Sequence, residues 1–548
     1  MDKIPVIDVF AGAGGLGEGF SPATGNVDSP FDIRLSIEMD RDAADTLRLR
    51  AFFRHAKGRA RDDCYRFMEG RISIAEIYEK HPAFAEKAHR EVCQVELGGP
   101  GFDENELQTR ISGAIGGTDR WVLVGGPPCQ AFSSIGRARN CGNRNYSAAD
   151  DHRHFLYEEY LRIIAFHWPM VFVMENVPGI LSSKAGGKTR IFRKILDDLS
   201  DPASVFPVTS GVAGGISYNY RIIPFYPQEH AVTDLFGTTG APTDYIVESE
   251  RHGVPQSRHR VILLGIRDDI DPVVFPGLNP SHVNPVPVSA VLEGMPRLRA
   301  GLADDPGDDG RLWLEAVSSA LESDWFQELH DLNQADVADA ITRVVQSLRM
   351  PKHGRGGQHV RHRAGYARLR KSYPELYNWL VDERLSTVCN SDTRAHMTSD
   401  LHRYLYVSTF GKVRGISPKL PVFPKGLLPN HANVGKGVKD RHFADRFRVQ
   451  VRNQPSTTVV SHLGRDGHYF IHYDPSQCRS LTVREAARLQ TFPDNYYFCG
   501  SRGSQYKQVG NAVPPLLANR IAESISVLFR SALPARTGAR ARIREVCA

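Results

Sequence analysis

The chain has 548 residues and a formal net charge of +6, and its 41% hydrophobic and 24% charged residues are typical of a globular protein with two to four domains. It has no apolar run of about 18 residues and no basic-then-apolar start, which predicts a cytoplasmic protein without a membrane segment. Its eight cysteines form no Cys-x-x-Cys pair, which argues against a metal site and a disulfide framework, and the modest charge permits a polyanionic partner.

Short apolar runs alternate with helix-like segments up to about residue 275. Between Arg41 and Gly98 the pattern is mainly helical. The runs that predict β-strands are Pro5–Phe10, Ile33–Ile37, Trp121–Val124, Met170–Met174, Tyr245–Val247 and Arg260–Ile266. This alternation predicts an α/β fold with a doubly wound, mainly parallel sheet.

A glycine-rich segment, Asp8–Gly17, follows the first predicted strand and leads into a helix. Glycines there let the backbone approach a ligand closely, and Glu38 at the end of the next strand could accept ribose hydroxyls. The motif alone is compatible with NAD, FAD or S-adenosylmethionine. Its spacing is not the Gly-x-Gly-x-x-Gly of dinucleotide sites, and it lacks the Gly-Lys-Ser/Thr ending of a P-loop. A nucleoside cofactor without a pyrophosphate therefore fits better.

A cysteine and a glutamate follow two further predicted strands. Cys129 comes after Trp121–Val124 and the pair Pro127-Pro128, and Glu175 ends the run Met170–Met174. A lone cysteine more often packs in a core. A cysteine on a proline-stiffened turn at a strand end, facing the edge where another strand places a carboxylate, is better explained as a nucleophile.

Two arginines, Arg258 and Arg260, lie at the start of the predicted strand Arg260–Ile266. Because side chains alternate along a strand, both arginines project to one side. They could form an exposed edge pair. Beside a cysteine and a glutamate, they could instead bind a carbonyl oxygen and favour the thiolate.

From about residue 271 the character changes to proline-rich and acidic stretches, and residues 311–348 read as one or two amphipathic helices. The segment Pro351–Lys371 then carries seven Lys or Arg residues, three His and no acid. Such a run is often only a solvated face. Because strand and helix do not alternate here, we predict a surface that contacts phosphates, with Gln358 and Tyr366 as docking residues.

The alternating pattern returns after residue 452. It predicts a strand over Gly467–Tyr473, an amphipathic helix from Thr482 to about Thr491, and a helix after Pro514. The tail Arg536–Arg544, with four arginines, is predicted to be disordered.

Six motifs follow one another along residues 1–275 and 453–530: Phe10-Ala-Gly-x-Gly-Gly15, Gly126-Pro-Pro-Cys-Gln130, Glu175-Asn-Val177, Gln256-x-Arg-x-Arg260, Arg484-Glu-x-Ala-Arg488 and Gln508-Val-Gly-Asn-Ala-Val513. In order and spacing they resemble the motifs of DNA (cytosine-5)-methyltransferases of the bacterial type. The amino-directed DNA methyltransferases carry an Asp/Asn/Ser-Pro-Pro-Tyr/Phe motif without a thiol, and the ribosomal-RNA cytosine-5 enzymes use a two-cysteine arrangement that is absent here.

The resemblance implies an S-adenosylmethionine-dependent methyltransferase fold, a Rossmann-like, doubly wound mixed sheet of seven strands with an inserted target-recognition domain. The catalytic domain would comprise residues 1–275 and a return segment, 453–535. The target-recognition domain with its linker would occupy residues 276–452, and residues 536–548 would be the basic tail.

The resemblance also implies roles for the catalytic residues. Cys129 would attack C6 of a cytosine flipped out of the duplex, so that C5 accepts the methyl group of S-adenosylmethionine and S-adenosylhomocysteine is released. Glu175 would hold or protonate N3. Arg260 would contact O2, with Arg258 supporting the site.

Family positions at the cofactor fall on Phe10, Gly12, Gly14, Gly15, Glu38, Met39, Leu156 and Asn511. Met39 stands where the family often has Trp. The family's Gly-Asp-Ile element, whose acid meets the adenine amino group, is not legible before Trp121. Asp62, Asp63 and Glu96 remain alternatives for that acid.

The implied partner is double-stranded DNA, bound by a monomer close to the nucleoid. Contacts are predicted from Gln130, Ser133 and Arg137 near the nucleophile, where a mobile loop would run to about Arg153. In the basic segment, contacts are predicted from Arg361, Arg363, Arg368 and Lys371.

The resemblance also points to self-marking of host DNA in a restriction-modification or related phage-defence system, with an endonuclease or defence proteins as further partners. A tRNA cytosine-5 methyltransferase and a catalytically idle DNA-binding protein on the same scaffold stay open as alternatives. The sequence does not name the recognition site, because base-reading side chains follow no transferable code.

Overall fold

The structure is a computed structural model. It describes residues 3–21, 29–99, 101–128, 156–182, 184–185, 189–206, 217–226, 241–270, 275–280, 284–305, 307–362, 365–429, 434 and 444–531.

The β-strands of the described residues are β1 Ile4–Val9, β2 Phe31–Glu38, β3 Val92–Gln94, β4 Val122–Gly125, β5 Val171–Asn176, β6 Lys184–Ala185, β7 Thr189–Arg190, β8 Tyr220–Ile223, β9 Ile246–Glu248, β10 Gln256–Ser257, β11 His259–Arg267, β12 Gly301–Leu302, β13 His359–Arg361, β14 Thr387–Cys389, β15 Ala395–His396 and β16 Ser456–Thr457.

The α-helices of the same residues are α1 Gly15–Phe20, α2 Arg41–His55, α3 Arg59–Met68, α4 Ile74–Lys80, α5 Pro82–Glu91, α6 Glu104–Ile115, α7 Leu156–His167, α8 Ile191–Ser200, α9 Pro202–Val205, α10 Val288–Leu292, α11 Gly310–Ser318, α12 Asp324–Asp331, α13 Ala335–Gln346, α14 Ala367–Ser372, α15 Pro374–Leu380, α16 Thr398–Arg414, α17 Val483–Leu489, α18 Arg502–Asn511 and α19 Pro515–Ser531.

The central sheet has the order β3-β2-β1-β4-β5-β11-β8. The first five strands are parallel, β11 is antiparallel to β5, and β8 and β9 pair antiparallel with β11. All six strands predicted in this half of the chain are confirmed, and so is the doubly wound mixed sheet. Within the described residues the sheet has eight strands rather than seven, because the short strands β8 and β9 share one edge of β11.

Side chains of the central strands alternate between two buried cores, as a sheet covered on both faces requires. Val6 on β1 and Val122 on β4 face the core formed with α1 and α19. Ile7 on β1 and Leu123 on β4 face the core formed with α6 and α7. Both faces of β1 and β4 are therefore largely apolar.

The region between β11 and the return segment builds a third core from two separated stretches. Trp313 and Leu329 from the helices before residue 350 pack there with Tyr404 and Tyr406 of α16. Three α-helices, α11, α12 and α13, replace the one or two that the pattern of residues 311–348 predicts. A 3₁₀-helix, Ser319–Glu322, and a turn at Leu332 and Asn333 separate them.

The middle of this inserted region packs elsewhere. Trp379 and Leu380 of α15 belong to the core under α1 and α19, and the Trp379 indole donates to the Thr491 carbonyl at 2.7 Å. Cys389 of β14 packs in the core of α2 and α3. Residues 276–452 therefore do not fold around one core, although their limits as a domain stay a prediction.

The return segment confirms two of its three predicted elements. Thr482 caps α17 with a reciprocal Thr482–Glu485 capping box, and α19 follows Pro514. The strand predicted over Gly467–Tyr473 is wrong. Only Ile471 in that segment makes isolated bridges, to Val449 and Ser480, because turns on both sides prevent a longer ladder.

Among the described residues, no α-helix has both the length and the hydrophobicity needed to cross a bilayer. The same residues contain no cluster of three or more His, Cys, Asp or Glu side chains arranged to hold a metal ion.

Candidate active site at the carboxyl edge of the sheet

The carboxyl ends of the parallel strands bring the predicted functional segments to one edge. Strand β1 ends at Val9 before the glycine-rich turn, β2 ends at Glu38, β4 ends at Gly125 before the Pro-Pro turn, and β5 ends at Asn176 after Glu175. Ligands of open α/β sheets bind at this edge.

The glycine-rich turn after β1 has an unusual backbone. Phe10, Gly12 and Gly14 all have positive φ, at 55°, 56° and 76°. The turn is held by the Gly14 amide, which donates to the Ala11 carbonyl at 2.8 Å, and by the Ala11 amide, which donates to the Ile37 carbonyl at 3.1 Å. A non-glycine residue with positive φ is strained, so the surroundings must hold Phe10 in place.

Glu38 completes this cradle from the neighbouring strand. Its carboxylate accepts hydrogen bonds from the Gly12 amide at 2.7 Å and from the Asp40 amide at 2.8 Å. Burial raises the pKa of the Glu38 carboxyl above its usual value, and the backbone donors oppose this shift. A Cβ built on Gly12 would meet no atom of the described residues within 4 Å, so this part of the structure leaves open space in front of the turn. Open space beside a carboxylate fits the ribose of a nucleoside cofactor.

The return segment closes the other side of the turn. A Cβ on Gly15 would collide with the carbonyl oxygen of Val513, two residues after the exposed Asn511. Met39, the residue after Glu38, is 58% exposed, and Leu156 is the half-buried first residue of α7. The cofactor residues predicted just after β1, at the end of β2 and at the end of α18 are therefore grouped around one turn.

The structure distinguishes the three acids that the sequence left as alternatives. Asp62 is exposed and paired with Arg384, and Asp63 is paired with His81. Glu96 is exposed just beyond β3, whose last residue, Gln94, is opposite Glu38 in the parallel pair. Only Glu96 of these three lies at the cofactor edge. The short strand Val92–Gln94, which reveals this, was not visible as an apolar run in the sequence.

The segment that leads to the predicted nucleophile approaches Glu175 closely. A Cβ on Gly126 would lie 2.9 Å from a carboxylate oxygen of Glu175, which explains the glycine there. The Asn176 amide donates to the Pro127 carbonyl at 3.4 Å and joins the ends of β4 and β5. Cys129, Gln130, Ser133 and Arg137 lie outside the described residues.

Glu175 and Arg260 form an ion pair with Nε and Oε1 2.7 Å apart, and their side chains are 13% and 11% exposed. Burial lowers the pKa of the Arg260 guanidinium, and the Glu175 carboxylate opposes this shift. The pair arises because Glu175 on β5 and Arg260 on β11 are held in one antiparallel ladder. The antiparallel strand thus brings a cation to an edge otherwise built by parallel strands.

The prediction that Arg258 and Arg260 project to the same side is wrong, because Arg258 is buried away from the open edge. It is 1% exposed, and its guanidinium donates to the carbonyls of Val459 at 2.7 Å and Gly510 at 3.2 Å. Arg258 lies between β10 and β11, where the strand is interrupted, so the alternation of side chains does not continue from Arg258 to Arg260 and the two do not share one face. Arg258 anchors the return segment and does not face the open edge with Arg260.

Several cations of the basic segment already have partners. Arg368 pairs with Glu293 at 3.2 Å, and Arg370 pairs with Glu383. Arg361 and Lys371 are exposed and make no ion pair within the described part of the chain, whereas Arg363 lies outside it. The predicted phosphate surface is therefore less positively charged than its composition suggests.

The two predicted docking residues of this segment are engaged inside the protein. The Gln358 amide donates to Asp392 at 2.7 Å, and the Arg488 guanidinium lies 4.2 Å from the centre of the Tyr366 ring. The Tyr366 contact holds the segment against the return segment, and the Gln358 contact lies within the inserted region.

Asp8 is a buried acid to which the sequence pattern gave no role. It is 1% exposed, one of its oxygens accepts from the Gly17 amide at 3.1 Å, and the other has no hydrogen-bond partner among the described residues. Burial raises the pKa of the Asp8 carboxyl to about 7.

Comparison with known proteins identifies a related family. The family model of C-5 cytosine-specific DNA methylases matches residues 99–202 and 243–527, well over half of the chain. The chain is 29% identical to the type II methyltransferase M.Bpa9945I of Bacillus paralicheniformis, over 95% of this chain and 98% of that protein. It is 28% identical to the type II methyltransferase M.AgeI of Thalassovita gelatinovora, over 95% and 99%. It is 27% identical to the DNA (cytosine-5-)-methyltransferase M.ApeKI of Aeropyrum pernix, over 75% and 82%.

Proposed function

Because the chain belongs to the family of C-5 cytosine-specific DNA methylases, we propose that it rotates a cytosine out of duplex DNA and methylates it at C5 with Cys129 as the nucleophile. The observation that carries this proposal is the shared sheet edge. There the Gly126–Pro128 turn, which leads directly to Cys129, lies against Glu175, and Glu175 is paired with Arg260.

The chemistry requires a nucleophile because C5 of cytosine reacts poorly by itself. The Cys129 thiolate adds to C6, which makes C5 the carbon of an enamine. S-Adenosylmethionine, when bound, would supply the methyl group to C5. The demethylated cofactor would then be released as S-adenosylhomocysteine. Loss of the C5 proton and departure of the thiolate then restore the aromatic ring as 5-methylcytosine.

Glu175 and Arg260 serve the base in this scheme. Glu175 holds or protonates N3, so that negative charge does not build up on the ring, and Arg260 contacts O2. Their ion pair keeps the carboxylate oriented until the base enters. Arg258 supports the site through its bonds to Val459 and Gly510, one residue before Asn511, and is a positioning residue.

The cofactor is placed by the cradle at β1 and β2. Glu38 would accept the ribose hydroxyls, because each carboxylate oxygen keeps a free lone pair beside its backbone donor. Glu96 would accept from the adenine amino group. The remaining contacts would come from Phe10, Gly12, Gly14, Gly15, Met39, Leu156 and Asn511.

Duplex DNA is the proposed substrate of a monomeric enzyme located with the nucleoid. Gln130, Ser133 and Arg137 would close over the flipped base, and the exposed cations of the basic segment would contact phosphates. Because two relatives are named type II methyltransferases, we further propose that the chain marks host DNA in a restriction-modification or related defence system, together with an endonuclease.

Methylation by the purified protein tests the reaction. Tritium from S-[methyl-³H]adenosylmethionine should enter plasmid DNA and appear as 5-methylcytosine, and tRNA should stay unlabelled. Preferential labelling of tRNA would support the RNA alternative, and no labelling of either would support the idle DNA-binding protein. Cys129→Ser is the matched control and should lose turnover by far more than tenfold, where tenfold alone corresponds to about 1.4 kcal/mol in barrier.

Sequencing tests the defence role. In plasmid from cells that express the protein, nanopore reads should show one short sequence methylated at nearly every copy, since an unmarked copy would be cut by a companion endonuclease. Methylation scattered over many sequences would contradict this role.

A further inference from the structure

A buried ion pair lies behind the glycine-rich turn and takes no part in the proposed chemistry. Arg50 of α2 binds Glu18 of α1 through two parallel hydrogen bonds, Nε to Oε2 at 2.8 Å and Nη2 to Oε1 at 2.5 Å. The two side chains are 2% and 0% exposed. Replacing such a pair by apolar residues often leaves stability unchanged or higher, so the pair is weak evidence for a stabilising role.

The third nitrogen of the Arg50 guanidinium contacts the return segment. Its Nη1 donates to the backbone carbonyl of Asn495 at 3.1 Å and to the side-chain oxygen of Asn495 at 2.9 Å. The guanidinium also lies 4.8 Å from the ring centre of Tyr496. Arg50 therefore fixes the return segment relative to α1 and α2.

Tyr496 carries this contact to the turn itself. Its hydroxyl donates to the carbonyl of Ala13, inside the glycine-rich turn, and its oxygen lies 3.0 Å from the position of a Cβ on Gly14. The Tyr496 side chain is 1% exposed, and burial raises the pKa of its hydroxyl, so it stays a donor at neutral pH.

The turn needs external support because its backbone is strained. Phe10 has a φ of 55°, and the peptide groups around Gly12 and Gly14 must present a fixed shape to a ligand. We propose that Arg50, oriented by Glu18, is a positioning residue that sets the shape of the glycine-rich turn through Tyr496 and thereby the affinity for the adenosyl cofactor. This inference rests on the proposed function.

Tyr496→Phe is the most selective test, because it removes the hydroxyl and leaves the ring beneath Arg50. Calorimetric titration with S-adenosylhomocysteine should show an affinity about three- to tenfold weaker than that of the wild type, the usual range for removal of one hydrogen bond. The melting temperature should change little.

Arg50→Lys tests the ion pair, because one ammonium group cannot bind both Glu18 and Asn495 in the same geometry. Its matched control is Arg479→Lys. Arg479 also binds a buried carboxylate, that of Glu485, through two hydrogen bonds, Nη1 to Oε2 and Nη2 to Oε1, both at 2.7 Å. This pair lies outside the glycine-rich turn. Both variants should melt at lower temperature, and only Arg50→Lys should bind S-adenosylhomocysteine more weakly. The double variant that combines Arg50→Lys with Tyr496→Phe should lose affinity by a smaller factor than the product of the factors lost by the two single variants.

An affinity of Tyr496→Phe within twofold of the wild type would overturn the inference, as would equal affinities in Arg50→Lys and Arg479→Lys. If the wild type itself fails to bind S-adenosylhomocysteine, the proposed function fails as well. Wild-type binding with an unresponsive Tyr496→Phe would overturn the positioning role alone.

Discussion

Glu175 is the residue whose environment says most about the reaction. Its carboxylate touches Arg260, and Gly126 leaves just enough room for its second oxygen. A carboxylate held on one side by a cation and on the other by the turn that precedes Cys129 is fixed in its orientation. In the proposed mechanism this orientation presents the carboxylate to N3 of the base.

Glu175→Gln should separate proton donation from hydrogen bonding. The amide can still bind N3 but donates a proton poorly, so the single-turnover rate should fall by about 10²- to 10⁴-fold. Quenched-flow measurement with enzyme in excess over DNA gives this rate.

Binding of S-adenosylhomocysteine is the control for this variant, since the cofactor cradle is on other strands and should be unaffected. A single-turnover rate equal to that of the wild type would show that Glu175 only supports the fold.

At the scale of elements, the basic segment illustrates how packing changes the meaning of a charge pattern. Residues 351–371 include β13 and most of α14, and β13 pairs with β14 beside α3. The His359 ring bonds to the Met68 carbonyl at 3.0 Å, and Ser386 just before β14 bonds to Glu69 at 2.8 Å. The segment joins the inserted region to the catalytic half, and only part of its charge faces solvent unpaired.

Two double variants with the same change in charge test the phosphate role. Arg361→Gln with Lys371→Gln removes unpaired cations and should weaken DNA binding for all sequences, and it should lower the slope of log K against log salt by about 0.9 for each phosphate that is no longer neutralised. Arg368→Gln with Arg370→Gln removes cations already paired with Glu293 and Glu383, and it should change the slope less.

Fluorescence anisotropy over a series of salt concentrations gives these slopes. Equal slopes in the wild type and in the Arg361 and Lys371 variant would mean that these side chains only solvate the surface. A changed target sequence with an unchanged slope would assign the segment to base reading instead.

At the scale of the whole molecule, the buried acid Asp8 couples stability to pH. Burial is the largest cause of its raised pKa, the nearby Glu38 raises the pKa further, and the Gly17 amide and Arg54 lower it. The unfolded chain releases this proton near its ordinary pKa of 3.8, but the folded protein holds it up to about 7. The contribution of Asp8 to folding is therefore largest below pH 4, and it is lost as the pH rises from about 4 to about 7.

Asp8→Asn should remove that dependence, because the amide oxygen can still accept from Gly17 and no charge is formed. The free energy of unfolding of the variant, relative to the wild type, should rise by roughly 2.5 kcal/mol between pH 5 and pH 8. Urea titrations at both pH values give the difference. A difference that stays constant with pH would show that Asp8 is already ionised in the folded protein.

The chemistry-bearing residues of the sheet edge, and the strands that carry them, can be recognised from the amino-acid sequence alone. Strands β4, β5 and most of β1 and β11 are nearly continuous apolar runs, since both of their faces are buried, whereas β2 alternates apolar and polar residues. Both patterns are visible locally in the sequence. A residue that ends such a run lies at a known edge once the strands are parallel. The turn before Cys129, Glu175 and Glu38 could therefore be placed together without coordinates.

The way in which separate segments meet is visible only in the folded chain. Arg258 bonds to carbonyls 201 and 252 residues away, and Arg50 reaches Asn495 across 445 residues. Local periodicity carries no record of such partners, so it could not show that Arg258 turns away from Arg260 or that Arg368 is neutralised by Glu293. It also could not show that Glu96 lies beside the end of β2, because β3 is too short to form an apolar run. Burial and pairing follow from contacts between segments distant in sequence, and those contacts form only when the chain folds.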